Sequence, residues 1–195
     1  MRLAILSDLH LENHKILGGP MVAGVNRRAR HIGDAFAAAI AIATKHGCDH
    51  MVITGDIFDC AKPDPEIIGL FAEVASTADP LIHTIPGNHD RSSDQPRHHA
   101  LTALCNSTNV IVYNGPASLV FDGVSLELFP FTTNLREVVE QRLTEALDDP
   151  SYVFLHAGIV GPDTPPFLRD GKNVLQLEDV VAWGTLGVRG VVAGD

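Results

Sequence analysis

Cysteine is scarce in this chain, with Cys48, Cys60 and Cys105 scattered singly through 195 residues. The absence of any Cys-x-x-Cys pair excludes a thiolate zinc site, and an odd, dispersed set excludes a disulfide framework. Reduced thiols of this kind set the expectation of a cytoplasmic protein. Basic residues are also few, 14 against 24 acidic ones, for a net charge of −10 with histidine neutral. A protein that holds nucleic acid by surface charge alone is normally basic. Any phosphate-bearing partner must therefore meet a local positive field, and bound cations are an obvious source. Long apolar runs are missing too. The first one stops at Leu6, with Asp8 and His10 directly behind it. That is far short of a membrane span or a signal-peptide core, so no membrane partner is expected.

What the chain does contain is an apolar fraction of 45%, enough for one large core at single-domain length, and ten histidines. The first figure excludes intrinsic disorder and collagen-like repetition. The second makes metal binding worth testing.

Short apolar runs alternate with longer helical ones. Leu3 to Leu6 reads as a buried strand, and Ile32, Ala35, Phe36, Ala39, Ile40 and Ala43 recur at helical spacing. They predict a helix from about Arg27 to His46, stopped by Gly47. Met51–Thr54 is the next strand, and Pro63 and Pro65 open a second helix through Val74. Leu81–Ile85 is a strand ending in Pro86-Gly87-Asn88, followed by a shorter helix around His98 to Cys105. Strands follow at Val110–Val112, Ser118–Phe121 and Val124–Phe129, the last two joined as a hairpin by Asp122-Gly123. A helix from Leu135 to Leu147 and strands at Val153–Leu155 and Val191–Ala193 complete the pattern. Leu11–Asn26 and Gly158–Asn173 read as loops. The strand–helix alternation implies a parallel core, and the hairpin adds antiparallel pairing. A mixed α/β sandwich accounts for both.

The chemistry lies where these strands end. Five predicted strands finish in a metal-capable residue: Asp8 and His10, Asp56, Asn88 and His89, His156, and Asp195. In open α/β sheets the carboxyl ends of strands are where ligands gather, so distant residues should converge on one rim. Carboxylate, imidazole and amide oxygen without thiolate suit manganese, iron or zinc in a paired site. Asp8-x-His10 should present two side chains on one side of an extended segment. Gly55 permits a tight turn before Asp56, whose lone pairs suffice to bridge two cations. Asp90 is a candidate to orient the His89 imidazole.

Together, Asp8-x-His10, Gly55-Asp56-x-x-Asp59, Gly87-Asn88-His89-Asp90 and His156 resemble the calcineurin-like metallophosphoesterase superfamily. The resemblance implies one domain over residues 1–195, a four-layer α-β-β-α sandwich of two mixed sheets flanked by helices, with a dinuclear metal centre. It implies Asp8 and His10 on a first metal, Asp56 bridging, and Asn88 and His156 on a second. His89 would be the acid at the leaving group, supported by Asp90. The family closes with Gly-His-x-His where this chain ends in Gly194-Asp195; the resemblance implies Asp195 in the place of the first of those histidines, and the expectation is a chain that ends just before its last ligand motif. Ile57-Phe58-Asp59 and Ile85–Arg91 resemble the SbcD-type nucleases of double-strand-break repair. That likeness implies DNA as substrate, manganese as metal, an SbcC-like ATPase partner and a homodimer.

The expected reaction is phosphodiester hydrolysis by water activated between two cations, with His89 donating a proton to the departing sugar oxygen. Two alternatives stand beside it. A small-molecule phosphoesterase on the same centre suits the acidic surface. A degenerate fold serving as an interaction scaffold would suit an incomplete ligand set.

Overall fold

The computed structural model describes residues 1–93, 95, 97–105, 107, 109–146, 151–165 and 174–195. In chain order these form β1 (Leu3–Leu6), a small hairpin of β2 (Met21–Val22) and β3 (Val25–Asn26), α1 (Arg27–Lys45), β4 (His50–Ile53), α2 (Pro65–Ser76), β5 (Leu81–Thr84) and β6 (Val110–Val112). Then come β7 (Ala117–Phe121), β8 (Val124–Phe129), α3 (Leu135–Ala146), β9 (Ser151–His156), β10 (Gly158–Val160), β11 (Val174–Gln176) and β12 (Val188–Gly194).

Two four-stranded sheets carry the molecule. The first runs β1-β4-β5-β6 and is parallel throughout, as its helical crossovers require. The second runs β12-β9-β8-β7 and is mixed, because the β7–β8 hairpin brings in the antiparallel pair. Its turn residues Asp122 and Gly123 both have positive φ, 51° and 74°, which matches the twist a two-residue hairpin needs.

The period-2 alternation of side chains sorts the core into layers. On β4, Met51 and Ile53 face outward to α1 and α2, joining Phe36, Ile40, Ile67 and Phe71. Val52 faces the other way and meets Ile85, Leu126, Leu128 and Phe154 between the sheets. Beyond the second sheet, Val153 and Leu155 pack with Val139, Leu143 and Trp183. This is the expected four-layer α-β-β-α sandwich. Each fully buried side chain of this size contributes about 1.5–3 kcal/mol, so the three clusters dominate stability.

The helices follow local rules. Asn26 caps α1 by accepting from the Ala29 N–H at 2.8 Å, and Gly47 ends it at φ 63°. Pro65 opens α2 without removing an intrahelical bond. Phe36 of α1 and Phe71 of α2 stack at 5.1 Å between ring centroids and lock the pair.

Three sequence readings are corrected. The segment His98–Cys105 forms only a 3₁₀ turn at Ala100–Leu104. Its approach is tied back to the preceding loop, with Ala100 N–H donating to the Asp90 carbonyl and Ser92 N–H to that of His98. The loop Leu11–Asn26 holds the β2–β3 hairpin, turned by Ala23 and Gly24 at φ 49° and 76°. Gly158–Val160 is a strand paired with β11, while residues 166–173 of that predicted loop lie outside the described residues. No helix among the described residues is long and apolar enough to cross a membrane.

Candidate metal centre

The carboxyl ends of β1, β4 and β5 in one sheet, and of β9 and β12 in the other, open onto a common edge. Asp8 and His10 follow β1, Asp56 follows β4, Asn88 and His89 follow β5, His156 is the last residue of β9, and Asp195 follows β12. The expected convergence is therefore present.

Its local cause at Asp8 and His10 differs from the one expected. The segment is not extended: Asp8 and His10 sit at φ 58° and 46°, and Asp56 at 48°. These are three of the five non-glycine positive φ values among the described residues. Left-handed backbone costs energy for such residues, and it is held here by cross-bonds between the loops. Asp8 N–H donates to Gly55 C=O, His10 N–H to Asp56 C=O and Leu11 N–H to Ile57 C=O. Two glycines make room. A Cβ at Gly87 would lie 2.1 Å from Asp56 Oδ1, and one at Gly55 would lie 2.5 Å from His156 Nδ1.

Two metal-competent clusters result, Asp8–Asp56–His156 and His10–Asp56–His89, each with ligand atoms within 4.8 Å of one another. Asp56 belongs to both, as a bridging carboxylate must. Within these clusters Asp8 lies beside His156 and His10 beside His89, while Asp8 also stands 4.0 Å from His10. All of them crowd around one carboxylate. His10 Nε2 is 3.7 Å from Asp56 Oδ2 and 4.0 Å from Asp8 Oδ1; His156 Nε2 is 3.3 Å from Asp56 Oδ2. Asn88 Oδ1 lies 2.7 Å from His156 Nε2, and Asp195 Oδ1 3.9 Å from the same nitrogen.

The histidines are oriented from behind. His156 Nδ1 faces the Thr54 carbonyl at 2.8 Å, and His10 Nδ1 faces Asp59 Oδ1 at 2.7 Å. With a proton on each Nδ1, both Nε2 atoms turn toward the carboxylates as free lone pairs. Lone pairs facing oxygens at such distances need a proton or a cation between them. Asp8 Oδ1 is buried and accepts no hydrogen bond among the described residues. Its free lone pairs, the donor set and the glycine cradle fit divalent cations held by oxygen and imidazole.

Asp59 is the residue that sequence reasoning left without a role. Besides His10, it engages His89, whose Nδ1 is 3.1 Å from the Asp59 carbonyl and 3.2 Å from its carboxylate. The signal was its place in Gly55-Asp56-x-x-Asp59. Asp90, expected to orient His89, instead turns inward. Its carboxylate accepts from the N–H groups of Phe58 and Gly87 at 2.9 and 3.0 Å, and from Ile57 at 3.4 Å. It thereby ties the Asp56 loop to the Asn88 loop.

Burial pushes the Asp90 carboxyl up to about 6 despite those donors. Burial also works to raise Asp56, but His156 and the His89 N–H outweigh it and hold the group below the usual carboxylate range. His156 shows the converse: burial works to lower it, and the Asp56 carboxylate raises it above the ordinary histidine value.

Compared with known proteins, the chain matches the family model described as calcineurin-like phosphoesterase over residues 1–190. Exonuclease subunit 1 of Enterobacteria phage T4 is 34% identical over 121 residues, an overlap of 58% of this chain and 36% of that protein. The chain thus spans about a third of that relative's length. Among solved structures, a dimetal phosphatase from Danio rerio shares the fold with a TM-score of 0.61 at 11% identity, covering 98% of this chain and 80% of that one.

Proposed function

The chain belongs to the calcineurin-like phosphoesterases, metal-dependent hydrolases of phosphate esters, and from that premise we propose a phosphodiesterase acting on DNA. Two divalent ions would be held by Asp8, His10, Asp56, Asn88, His156 and Asp195. The observation that carries the reading is Asp56, set between Asp8 and His156 on one side and His10 on the other, with His89 at the rim. Bound there, the cations would supply Lewis acidity toward a phosphoryl group and toward water.

The chain's own residues do the rest. His89 stands exposed at the rim, 44% by side chain, with Nδ1 engaged by Asp59. That leaves Nε2 to donate a proton to the departing sugar oxygen. Asp59 holds the ring in place. Asp90 fixes the spacing of the Asp56 and Asn88 loops through their backbone N–H groups. A nucleic-acid substrate is supported by the phage exonuclease subunit among the relatives, and the choice of DNA comes from the likeness of two segments to the SbcD-type nucleases. The segments Ile57–Asp59 and Ile85–Arg91 extend the reading to manganese, an SbcC-like ATPase partner and a homodimer.

A second reading, hydrolysis of small phosphate esters, is favoured by the net charge of −10. An activity panel with manganese separates the two. It compares linear duplex DNA, single-stranded DNA, bis-p-nitrophenyl phosphate and p-nitrophenyl phosphate, for wild type and His89→Ala. Cleavage of DNA and the diester is expected, and turnover of the monoester alone would defeat the proposal. For His89→Ala the expected loss on DNA is roughly 10²–10⁴-fold, with a much smaller loss on nitrophenyl esters, whose leaving group needs no acid. Undiminished DNA cleavage would remove His89 from that role.

A further inference from the structure

Beside the metal centre lies a cavity of about 580 Å³ that the phosphoesterase reaction by itself does not use. It opens between the loop carrying Leu17 and Gly18 and the first turns of α1, and Asp8 lines it as well as the metal centre. Two kinds of surface face it. Leu9, Ile32 and Phe36 form an apolar wall, while Arg27 and Arg28 supply cationic nitrogen and His31 an imidazole. No ion pair or side-chain hydrogen bond among the described residues engages any of those three.

This placement runs against both the composition and the helix. The chain carries ten more acids than bases, yet two arginines and a histidine meet at one opening. They occupy the start of a 19-residue helix that has no acidic residue in its first turn. The positive end of a helix dipole favours carboxylates and disfavours arginine, so local stability does not account for Arg27 and Arg28. An anion bound between them would. The volume suits a nucleotide-sized ligand, and an apolar wall with few charged groups is the usual make-up of such a site.

We infer that this cavity is a nucleoside-phosphate subsite. It takes the sugar and base adjoining the phosphodiester at the Asp56 centre against Leu9, Ile32 and Phe36, and the next phosphate on Arg27, Arg28 and His31. The inference rests on the phosphodiesterase reading and adds to it the part of the substrate that is recognised away from the metals.

The test uses Arg27→Ala/Arg28→Ala, the charge-preserving Arg27→Lys/Arg28→Lys, and Ala35→Trp, which fills the cavity without changing charge. Three manganese-supported substrates are compared: bis-p-nitrophenyl phosphate with no nucleoside, thymidine 5′-(p-nitrophenyl) phosphate with one, and a twelve-residue oligothymidylate. The double alanine variant and Ala35→Trp should lose roughly tenfold or more kcat/KM on the oligonucleotide relative to bis-p-nitrophenyl phosphate, with most of it restored in the lysine variant. A matching loss on the thymidine ester assigns the site to a single nucleotide, and a loss confined to the oligonucleotide assigns it to a strand. Equal losses on all three substrates, or none, overturn the subsite. Binding gives a separate readout: fluorescence anisotropy with labelled oligothymidylate in chelator, where the salt slope should fall by about 0.7 for each phosphate that is no longer neutralised. A wild type that cleaves no diester defeats the phosphodiesterase reading. Unchanged salt slopes in the double alanine variant defeat the subsite whatever the activity.

Discussion

His156 and His83 are buried to nearly the same degree, 0% and 3% exposed, yet their environments drive them in opposite directions. His156 ends β9 at the metal edge, with the Asp56 carboxylate 3.3 Å from Nε2. His83 lies within β5 and faces the space between the sheets. There its Nε2 meets His50 Nδ1 at 3.1 Å, its Nδ1 meets the Tyr113 hydroxyl at 2.8 Å, and Phe121 closes the side. Burial pushes His83 down to about 4, and a second histidine adds to the effect. The same burial at His156 is overruled, chiefly by the Asp56 carboxylate, with the Thr54 carbonyl and Asp8 adding to it. Burial alone makes a silent histidine; an acid set beside it, with the far ring nitrogen pinned to a carbonyl, makes a candidate ligand.

Removing the acid should erase that difference, and this is the largest expected effect. Asp56→Asn takes the shared oxygen charge from both clusters. Metal content by mass spectrometry should collapse, and diester hydrolysis should fall on the order of 10³-fold or more. In chelator, the His156 ring followed by NMR should titrate below the ordinary histidine value, as His83 does. An unchanged His156 titration would show that Asp56 is not what separates the two histidines. Asp59→Asn is the milder change. It keeps the shape but weakens the hold on His10 and His89, and should reduce manganese affinity by calorimetry, together with turnover, by roughly 10–100-fold.

Much of the site was legible because its residues stand at strand ends. Short, mainly apolar runs ending shortly before Asp, Asn or His locate Asp8, Asp56, Asn88 and His156 without coordinates. The layers were legible for the same reason, since Met51-Val52-Ile53 splits between two cores by simple alternation. What was not legible depends on loops. Nothing in Asp8-Leu9-His10 signals left-handed backbone, because that conformation comes from bonds to Gly55, Asp56 and Ile57 far along the chain. The exchange of partners between Asp59 and Asp90 was hidden likewise. Asp90 follows His89 in sequence, but its carboxylate is drawn under the loops by the N–H groups of Ile57, Phe58 and Gly87. The 3₁₀ turn at Ala100–Leu104 shows the same limit, for its apolar spacing suits a helix that tethering cuts short.

The smallest expected effect concerns the silent histidine, which should matter to stability and not to chemistry. His83 is neutral in the fold down to about pH 4, whereas in the unfolded chain it takes up a proton near 6.5. Between those values the unfolded state binds more protons, so stability rises with pH across the window and is lost as pH falls from 6.5 toward 4. The Tyr113 hydroxyl and His50 offer no negative charge to offset protonation. Urea unfolding at pH 7 and pH 5 should therefore show a loss on the order of 1–2 kcal/mol attributable to this site. His83→Gln should be destabilised at pH 7 by its poorer packing, yet lose less than wild type on going to pH 5, with diester hydrolysis at pH 7 unaltered. Equal losses in both proteins would mean that His83 charges as readily folded as unfolded. Burial without an acid would then fail to silence a histidine here, and the contrast with His156 would have to rest on metal geometry alone.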